Sequence, residues 1–310
     1  MTIDVSIVIV NFNSGQYLKN CLESIYNCTK GVSFEIILVD NASTDGSFEK
    51  IREDFPSICG LKNKENLGFS AANNIGVSHA SGKYLLFLNP DILLADDAIS
   101  AMYQFLESAD NRVAACGARL QNRDGSYSVS FGNFPTLFQQ FSDIGFRALY
   151  KRYYDRKLSI SPPCNFMDPK PVGYLSGADI LIRKDVFQKI GGFDERYFMY
   201  YEDTDLFYRL HKAGYQSWLL PQVSITHIGS ATNDADGSFN YSKYALMEKS
   251  KYIYFAKNHG ACSVFWAKTF QTFSLLFHVG KFHYSLKKML RITWLPSSEV
   301  SSPRRRGSRP

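Results

Sequence analysis

Three stretches of this chain place reactive side chains where an α/β sheet could use them. The first is Phe87-Leu-Asn-Pro-Asp-Ile92, which ends the apolar run Tyr84–Leu88 in a proline and an acid. The run reads as a buried parallel strand, and Pro90 cannot extend it, so Asp91 is delivered just past the strand's carboxyl end. Open α/β sheets bind ligands along that edge. A carboxylate there suits a hard divalent cation, which in turn grips a diphosphate; a Pro-Asp turn capping a helix from Asp96 onward is the plainer reading of the same residues. The second stretch is the end of a strand at Glu35–Val39, where Asp40 is placed to accept from a ribose hydroxyl or a base imide. Phe12 offers a flat apolar face beside it. The third is Glu202-Asp203-Thr204-Asp205-Leu206. It opens a helix, where acids also serve as ordinary dipole-favoured caps.

Positioning these groups requires a layered sheet. Val5–Val10 is a continuous, mostly β-branched run, the mark of a strand buried on both faces. Asn11-Phe12-Asn13-Ser14-Gly15 breaks it, and Leu18, Leu22, Ile25 and Tyr26 follow at helical spacing. No Walker loop and no Gly-x-Gly-x-x-Gly stands after that strand, which argues against a dinucleotide-binding dehydrogenase. Further along, helices are expected near Ser47–Phe55, Phe69–Ala80 and Ala95–Ser108. Strands are expected near Leu61–Asn63 and Val113–Gln121, with an edge or mixed strand within Gly173–Arg183. Alternating strands and helices imply a right-handed doubly wound, mostly parallel sheet. Asn122–Pro171 reads as an irregular excursion packed by its own aromatics.

Charge divides the chain. Residues 240–310 carry 13 Lys and Arg against Glu248 and Glu299, leaving 22 basic and 27 acidic side chains before them. The body lacks the basic stripe of a nucleic-acid groove, whereas the tail suits an anionic lipid surface. Within that tail, Tyr241–Asn258 and Cys262–Arg291 are helical candidates. Lys268 interrupts the apolar stretch Cys262–Gly280, so an interfacial amphipathic pair is expected rather than a spanning helix. The six cysteines show no Cys-x-x-Cys pair and read as buried free thiols of a reducing compartment. No signal-like apolar segment stands at the amino end, and a cytosolic-facing protein is expected.

The blocks Ser6–Ser14, Val39–Gly46, Asn66–Gly76, Phe87–Asp91, Gly191–Glu195 and Tyr201–Leu206, in that order, resemble family 2 glycosyltransferases of the GT-A fold. The likeness is greatest to the rhamnosyltransferase-like branch that builds bacterial surface polysaccharides, and it spans roughly residues 3–230. It implies that Phe12 and Asp40 hold the nucleotide base, with Asn13 and Asn66 as further nucleotide contacts. Asp91 would bind Mg²⁺ or Mn²⁺, and His227 would help hold metal or diphosphate. Asn89 stands where many relatives carry a first aspartate, and an amide is the poorer ligand for a hard cation. Displacing a diphosphate needs a cation on one side of the sugar and a base on the other. Asp203 is assigned as that base, Glu202 as the group that orients it, and Asp194 and Glu195 as lining the acceptor loop.

The expected activity is inverting, metal-dependent transfer of a sugar, best L-rhamnose from dTDP-L-rhamnose, to a hydroxyl of a lipid-linked glycan at the inner face of the plasma membrane. UDP-hexose donors stay open, as does a non-catalytic nucleotide-sugar-binding scaffold. The expected organisation is a catalytic domain over 1–239, a basic helical membrane-surface extension over 240–295, and a disordered basic tail over 296–310.

Overall fold

A computed structural model describes residues 3–229, 239–278 and 285–295. The chain forms two compact units. The first comprises residues 1–134, 159–195 and 202–229; the second comprises 135–158, 196–201 and 230–310.

The first unit is built on β1 (Val5–Asn11), β2 (Phe34–Asp40), β3 (Cys59–Lys62), β4 (Tyr84–Leu88), β5 (Ile92–Leu93), β6 (Val113–Gln121), β7 (Phe131–Gly132), β8 (Lys170–Val172), β9 (Tyr174–Leu175), β10 (Asp179–Arg183) and β11 (Gln216–His227). The main sheet runs β3-β2-β1-β4-β10-β6-β11-β5, with β8 paired to β11, while β7 and β9 form a separate ribbon. Strands β3, β2, β1 and β4 are mutually parallel, so their carboxyl ends share one edge. Asn11 stands opposite Asp40, and Ile9 opposite Leu88.

The helices α1 (Gly15–Cys28), α2 (Ser47–Asp54), α3 (Phe69–Val77), α4 (Ala98–Ser108), α7 (Lys184–Lys189) and α8 (Glu202–Lys212) cover both faces. In α1, Leu18, Cys21, Leu22 and Ile25 are buried at the i, i+3, i+4, i+7 spacing that presents one apolar stripe to the sheet. With Ile7 and Ile9 they form one core layer, together with Met102 and Leu106 of α4. Val8 and Phe87 face the other way, against Phe187, Phe193, Phe207 and Leu210. β1 is therefore buried on both sides, as its apolar run requires.

Two expectations change. Of the two placements expected for the strand within Gly173–Arg183, the mixed one is found and the edge one is not: β10 lies at the centre, antiparallel to both β4 and β6. It is completely apolar over Ile180–Ile182 because both its faces are covered. The thiols are free, but Cys59 and Cys262 are exposed and only Cys21 and Cys116 are fully buried.

The second unit gathers short helices α5 (Leu137–Ser142) and α6 (Lys151–Lys157) with α9 (Tyr241–His259), α10 (Ala261–Phe277) and α11 (Leu286–Trp294). Phe141 of α5 packs edge-on against Phe270 of α10 at 5.7 Å between ring centroids. Among the described residues no helix is long and apolar enough to cross a membrane. The disorder expected of 296–310 concerns residues outside those described.

Candidate active site

At the carboxyl edge of β1 and β2, two loops are joined by amide side chains. Asn11 is fully buried, and its Nδ2 donates to Asp40 Oδ1 (2.9 Å), Ser43 Oγ (3.0 Å) and Ser47 Oγ (2.9 Å). Asp40 Oδ2 accepts from Ser43 N at 3.1 Å. Asp40 thus has no exposed surface and is engaged in holding the 41–46 turn, so it reaches a base imide only if that turn moves. Asn13 Oδ1 accepts from Thr44 N at 2.7 Å. Phe12 stands 48% exposed beside this turn, its ring available for stacking. Asn66 Oδ1 accepts from Asn41 Nδ2 (2.9 Å) and from Gly68 N (2.9 Å). Its other amide partner, Asn41, also accepts from Asn63 Nδ2 and Leu67 N, which ties the loop after β3 to the loop after β2.

The turn between β4 and β5 carries Asn89, Pro90 and Asp91. Antiparallel pairing sets His227 opposite Ile92, and Ile228 N donates to Asp91 O at 2.9 Å. That register brings His227 Nε2 to 3.3 Å from Asp91 Oδ1, with both side chains about a fifth exposed (21% and 22%). Beneath them the Cys21 thiol donates to Asn89 O at 3.7 Å; burial, then the charge of Asp91, pushes it up to about 12. It is an inert thiol at that value.

Across the same edge lies the start of α8. Asp203 Oδ2 accepts from Gly177 N at 3.0 Å, and its Oδ1 accepts from Thr204 N at 2.6 Å. The next residue in the Gly177 loop, Ala178, accepts from Asn89 N through its carbonyl at 3.0 Å. Two consecutive residues before β10 therefore join Asp203 to the Asn89–Asp91 turn. Burial raises the Asp203 carboxyl above the usual aspartate range even though these donors oppose it. Glu202 is buried, and its Oε2 finds no hydrogen-bond partner. Burial, with the Asp203 charge beside it, raises its carboxyl well above the usual range and favours the protonated form.

The Phe193–Glu195 loop is positioned from a distance in sequence. Asn74 of α3 donates through Nδ2 to Phe193 O (2.9 Å) and Glu195 Oε1 (3.0 Å), and its Oδ1 accepts from Phe193 N (3.1 Å). Asp194 lies between these anchored residues, partly buried. Arg209 pairs with buried Asp205 at 2.8 Å and donates to Ile190 O and Gly192 O, both at 2.7 Å. Asp205 is thus part of the clamp on the Gly191-Gly192 turn.

The backbone is strained at these loops. The non-glycine residues with positive φ among those described are Asn13 (54°), Ala42 (64°), Tyr200 (70°) and Tyr201 (66°), and all but Tyr200 fall within the sequence blocks that carry the candidate residues. Ala and Tyr at such angles persist only where surrounding contacts enforce them.

A match to the family description "Glycosyl transferase family 2" covers residues 6–191. The chain belongs to this family. Its curated relatives include the N-acetylglucosaminyl-diphospho-decaprenol L-rhamnosyltransferase of Mycobacterium tuberculosis, 30% identical over 84% of this chain and 86% of the relative. Rhamnosyltransferase WbbL of Escherichia coli K12 is 26% identical over 88% of this chain and 99% of the relative. Among solved structures, the mannosyltransferase PcManGT of Pyrobaculum calidifontis, in complex with GDP-Man and Mn²⁺, aligns with a TM-score of 0.56. It is 16% identical and covers 93% of this chain and 78% of that one. The family 2 transferase described here therefore has the mixed α/β GT-A fold. Its Asp91–His227 pair fits a hard divalent cation: one oxygen and one nitrogen donor, both partly open, leave most of a coordination sphere to phosphate oxygens and water. Among the described residues of the transferase no group of three His, Cys, Asp or Glu forms a closed cage.

Proposed function

We propose that this glycosyltransferase moves a sugar from a nucleoside diphosphate to a hydroxyl of a lipid-linked glycan in cell-surface polysaccharide synthesis, with inversion and with Mg²⁺ or Mn²⁺ bound. L-Rhamnose from dTDP-L-rhamnose is the donor taken by likeness to the two rhamnosyltransferases. The observation that carries the reading is the Gly177–Ala178 link. It fastens the acid at 203 to the turn that bears Asp91, so one sugar ring can lie between base and diphosphate.

Asp91 and His227 would hold the cation, which when bound neutralises charge growing on the departing diphosphate. Phe12 stacks the base, while Asp40, Asn13 and Asn66 shape the nucleotide loops. Asp203 takes the proton of the attacking hydroxyl, and its raised pKa brings it nearer the working pH of a general base. Glu202, held protonated beneath it, orients Asp203 and adds no second charge. Asp194 and Glu195 line the acceptor side on the loop that Asn74 secures. Attack from the face opposite the leaving group inverts the anomeric carbon.

Catalysis in this reading belongs to residues 1–239, and 240–295 supplies contact with the cytoplasmic face of the plasma membrane. On α10, Phe265, Trp266, Phe273, Leu276 and Phe277 are exposed, and at 3.6 residues per turn they fall within about a third of the helix circumference. Lys287, Lys288 and Arg291 on α11 stand exposed for anionic headgroups.

The test is nucleoside diphosphate release from a panel of donors, with a lipid diphosphate-linked acceptor, with and without EDTA. Release from dTDP-L-rhamnose that EDTA abolishes, with a product of opposite anomeric configuration by NMR, is expected. Release from a UDP-hexose alone reassigns the donor. Release from none overturns the transferase reading in favour of a nucleotide-sugar-binding scaffold.

A further inference from the structure

Residues 135–158 lie between two parts of the first unit in sequence but belong to the helical unit, and they carry none of the groups assigned to donor, metal or acceptor. Within them a 3₁₀ turn, Phe146–Tyr150, runs directly into α6. Tyr154 and Leu158, one turn apart, are buried and mark the inner side of α6. At 3.6 residues per turn, Arg152, Tyr153 and Arg156 fall on its outer side, and Leu149 lies one turn before Tyr153. Leu149 is 81% exposed, Tyr153 54% and Phe146 43%, which is far more apolar surface than a short helix leaves open by chance of packing. The aromatics of this stretch do pack on one another: Phe138 stacks on Tyr150 with centroids 5.9 Å apart, and Phe141 on Phe146 at 4.8 Å. The second stack continues, because Phe141 meets Phe270 of α10 and Phe270 meets Trp266 at 5.9 Å. The exposed rings thus form one surface with the outer face of α10, and a continuous apolar patch marks a place of contact where scattered single residues do not.

Charge identifies the partner. Residues 137–158 hold five cations, Arg147, Lys151, Arg152, Arg156 and Lys157, against Asp143 and Asp155. Both acids are engaged inside the segment: Asp143 accepts from Gln139 Nε2 and the Tyr154 hydroxyl, and Asp155 pairs with Lys151. Arg152 and Arg156 are exposed and make no hydrogen bond or ion pair among the described residues. A second copy of the chain would meet this surface isologously, cation on cation. An anionic bilayer instead offers headgroups to the arginines and hydrocarbon to the apolar side chains between them. We infer that Phe146–Lys157 is a second membrane-contact element, in which Phe146, Leu149 and Tyr153 enter the headgroup boundary while Arg147, Arg152 and Arg156 meet lipid phosphates. The inference rests on the reading that residues 240–295 contact the membrane, and adds to that surface a segment numbered inside the catalytic stretch.

Sedimentation of the full-length protein with phosphatidylglycerol vesicles, and with phosphatidylcholine vesicles as the neutral surface, tests the element. The Leu149→Ser/Tyr153→Ser variant should partition about tenfold less onto phosphatidylglycerol. Arg152→Gln/Arg156→Gln should lose binding to phosphatidylglycerol and show a flatter salt dependence. Lys64→Gln, an exposed cation of the other unit, should bind as the parent does. Parent-like partition of both double variants, at melting temperatures matching the parent, overturns the proposal. If the Trp266, Phe273 and Phe277 triple serine variant loses binding in that same assay, contact by 240–295 stands and only the second element falls. A parent that ignores both kinds of vesicle removes both readings. Loss confined to the arginine variant would reduce the contact to electrostatic attraction and overturn entry of the apolar side chains. A dimeric parent in sedimentation equilibrium, with a monomeric Leu149→Ser/Tyr153→Ser variant, would assign the face to a second copy and overturn lipid contact.

Discussion

The main-chain N–H of Gly177 donates to the carboxylate of Asp203 at 3.0 Å, and it does so one residue before the carbonyl that fixes Asn89. Because β10 enters antiparallel with Asp179 opposite Leu88, the loop before it arrives at the same edge where β4 delivers Asp91. One short piece of backbone thereby fastens Asp203 and the Asn89–Asp91 turn, the proposed base and the proposed diphosphate site. Asp203→Asn keeps the shape and an acceptor oxygen but removes the proton sink. Turnover should fall by roughly 10²–10⁴-fold with donor affinity retained. Near-normal kcat in this variant would remove Asp203 from the role of base.

Glu202 supplies a pH test on stability. Its carboxyl is raised above the ordinary value of 4.5 by burial and by Asp203, so the folded chain holds that proton more tightly than the unfolded one. The contribution is favourable at low pH and is lost as pH climbs from the unfolded value through the folded one. Glu202→Gln removes the titration. Relative to the parent, the variant should gain stability on going from acidic to neutral pH in urea unfolding curves. A stability difference independent of pH would show that Glu202 does not titrate with a raised pKa.

The pair of His227 and Asp91 predicts a split between metal affinity and chemistry. His227→Ala should raise the Mn²⁺ concentration needed for half-maximal transfer by about 10–100-fold, a loss typical of groups that support a metal ligand. Activity should return at saturating metal. Asp91→Asn should lose activity at every metal concentration. Identical metal titration curves for parent and His227→Ala would place the imidazole outside the metal site.

Arg209 is a structural prediction. Its guanidinium satisfies buried Asp205 and two carbonyls of the Ile190–Gly192 turn. Arg209→Ala removes the cation beside a fully buried carboxylate, at a cost of about 3–5 kcal/mol. Chemical denaturation should read this loss, while Arg209→Lys, which keeps the charge but not the fork, should lie in between.

Residues whose neighbours are local were legible in advance. The apolar runs of β1, β2 and β4 announced buried parallel strands, and Pro90 and Asp91 announced the turn that ends one of them. The amide clamps were not legible, because Asn74 and Phe193 are 119 positions apart and an asparagine carries no periodic signal. Asn11 and Asn41 were hidden likewise, lying inside loops where polar residues are ordinary. The central place of β10 also depends on pairing between distant segments, which a five-residue strand with only three apolar residues at its middle does not encode by itself. Asp40 ends a strand, which suggests an open carboxylate; of the two donors that engage it, Ser43 N is local but Asn11 Nδ2 comes from the end of β1, 29 positions away.

The exposed face of α10 makes the last prediction. Trp266, Phe273 and Phe277 are about half to two-thirds exposed, so replacing all three by serine removes little packing within the unit. Burying even half of each ring in a lipid interface is worth on the order of 1 kcal/mol. The triple variant should therefore sediment with phosphatidylglycerol vesicles more than tenfold less than the parent, with an unchanged melting temperature. Raising salt should weaken parent binding only partly, since screening acts on Lys287, Lys288 and Arg291 but leaves aromatic burial intact. Binding abolished by salt alone, and equal in parent and variant, would assign membrane contact to the basic residues and exclude the aromatic face.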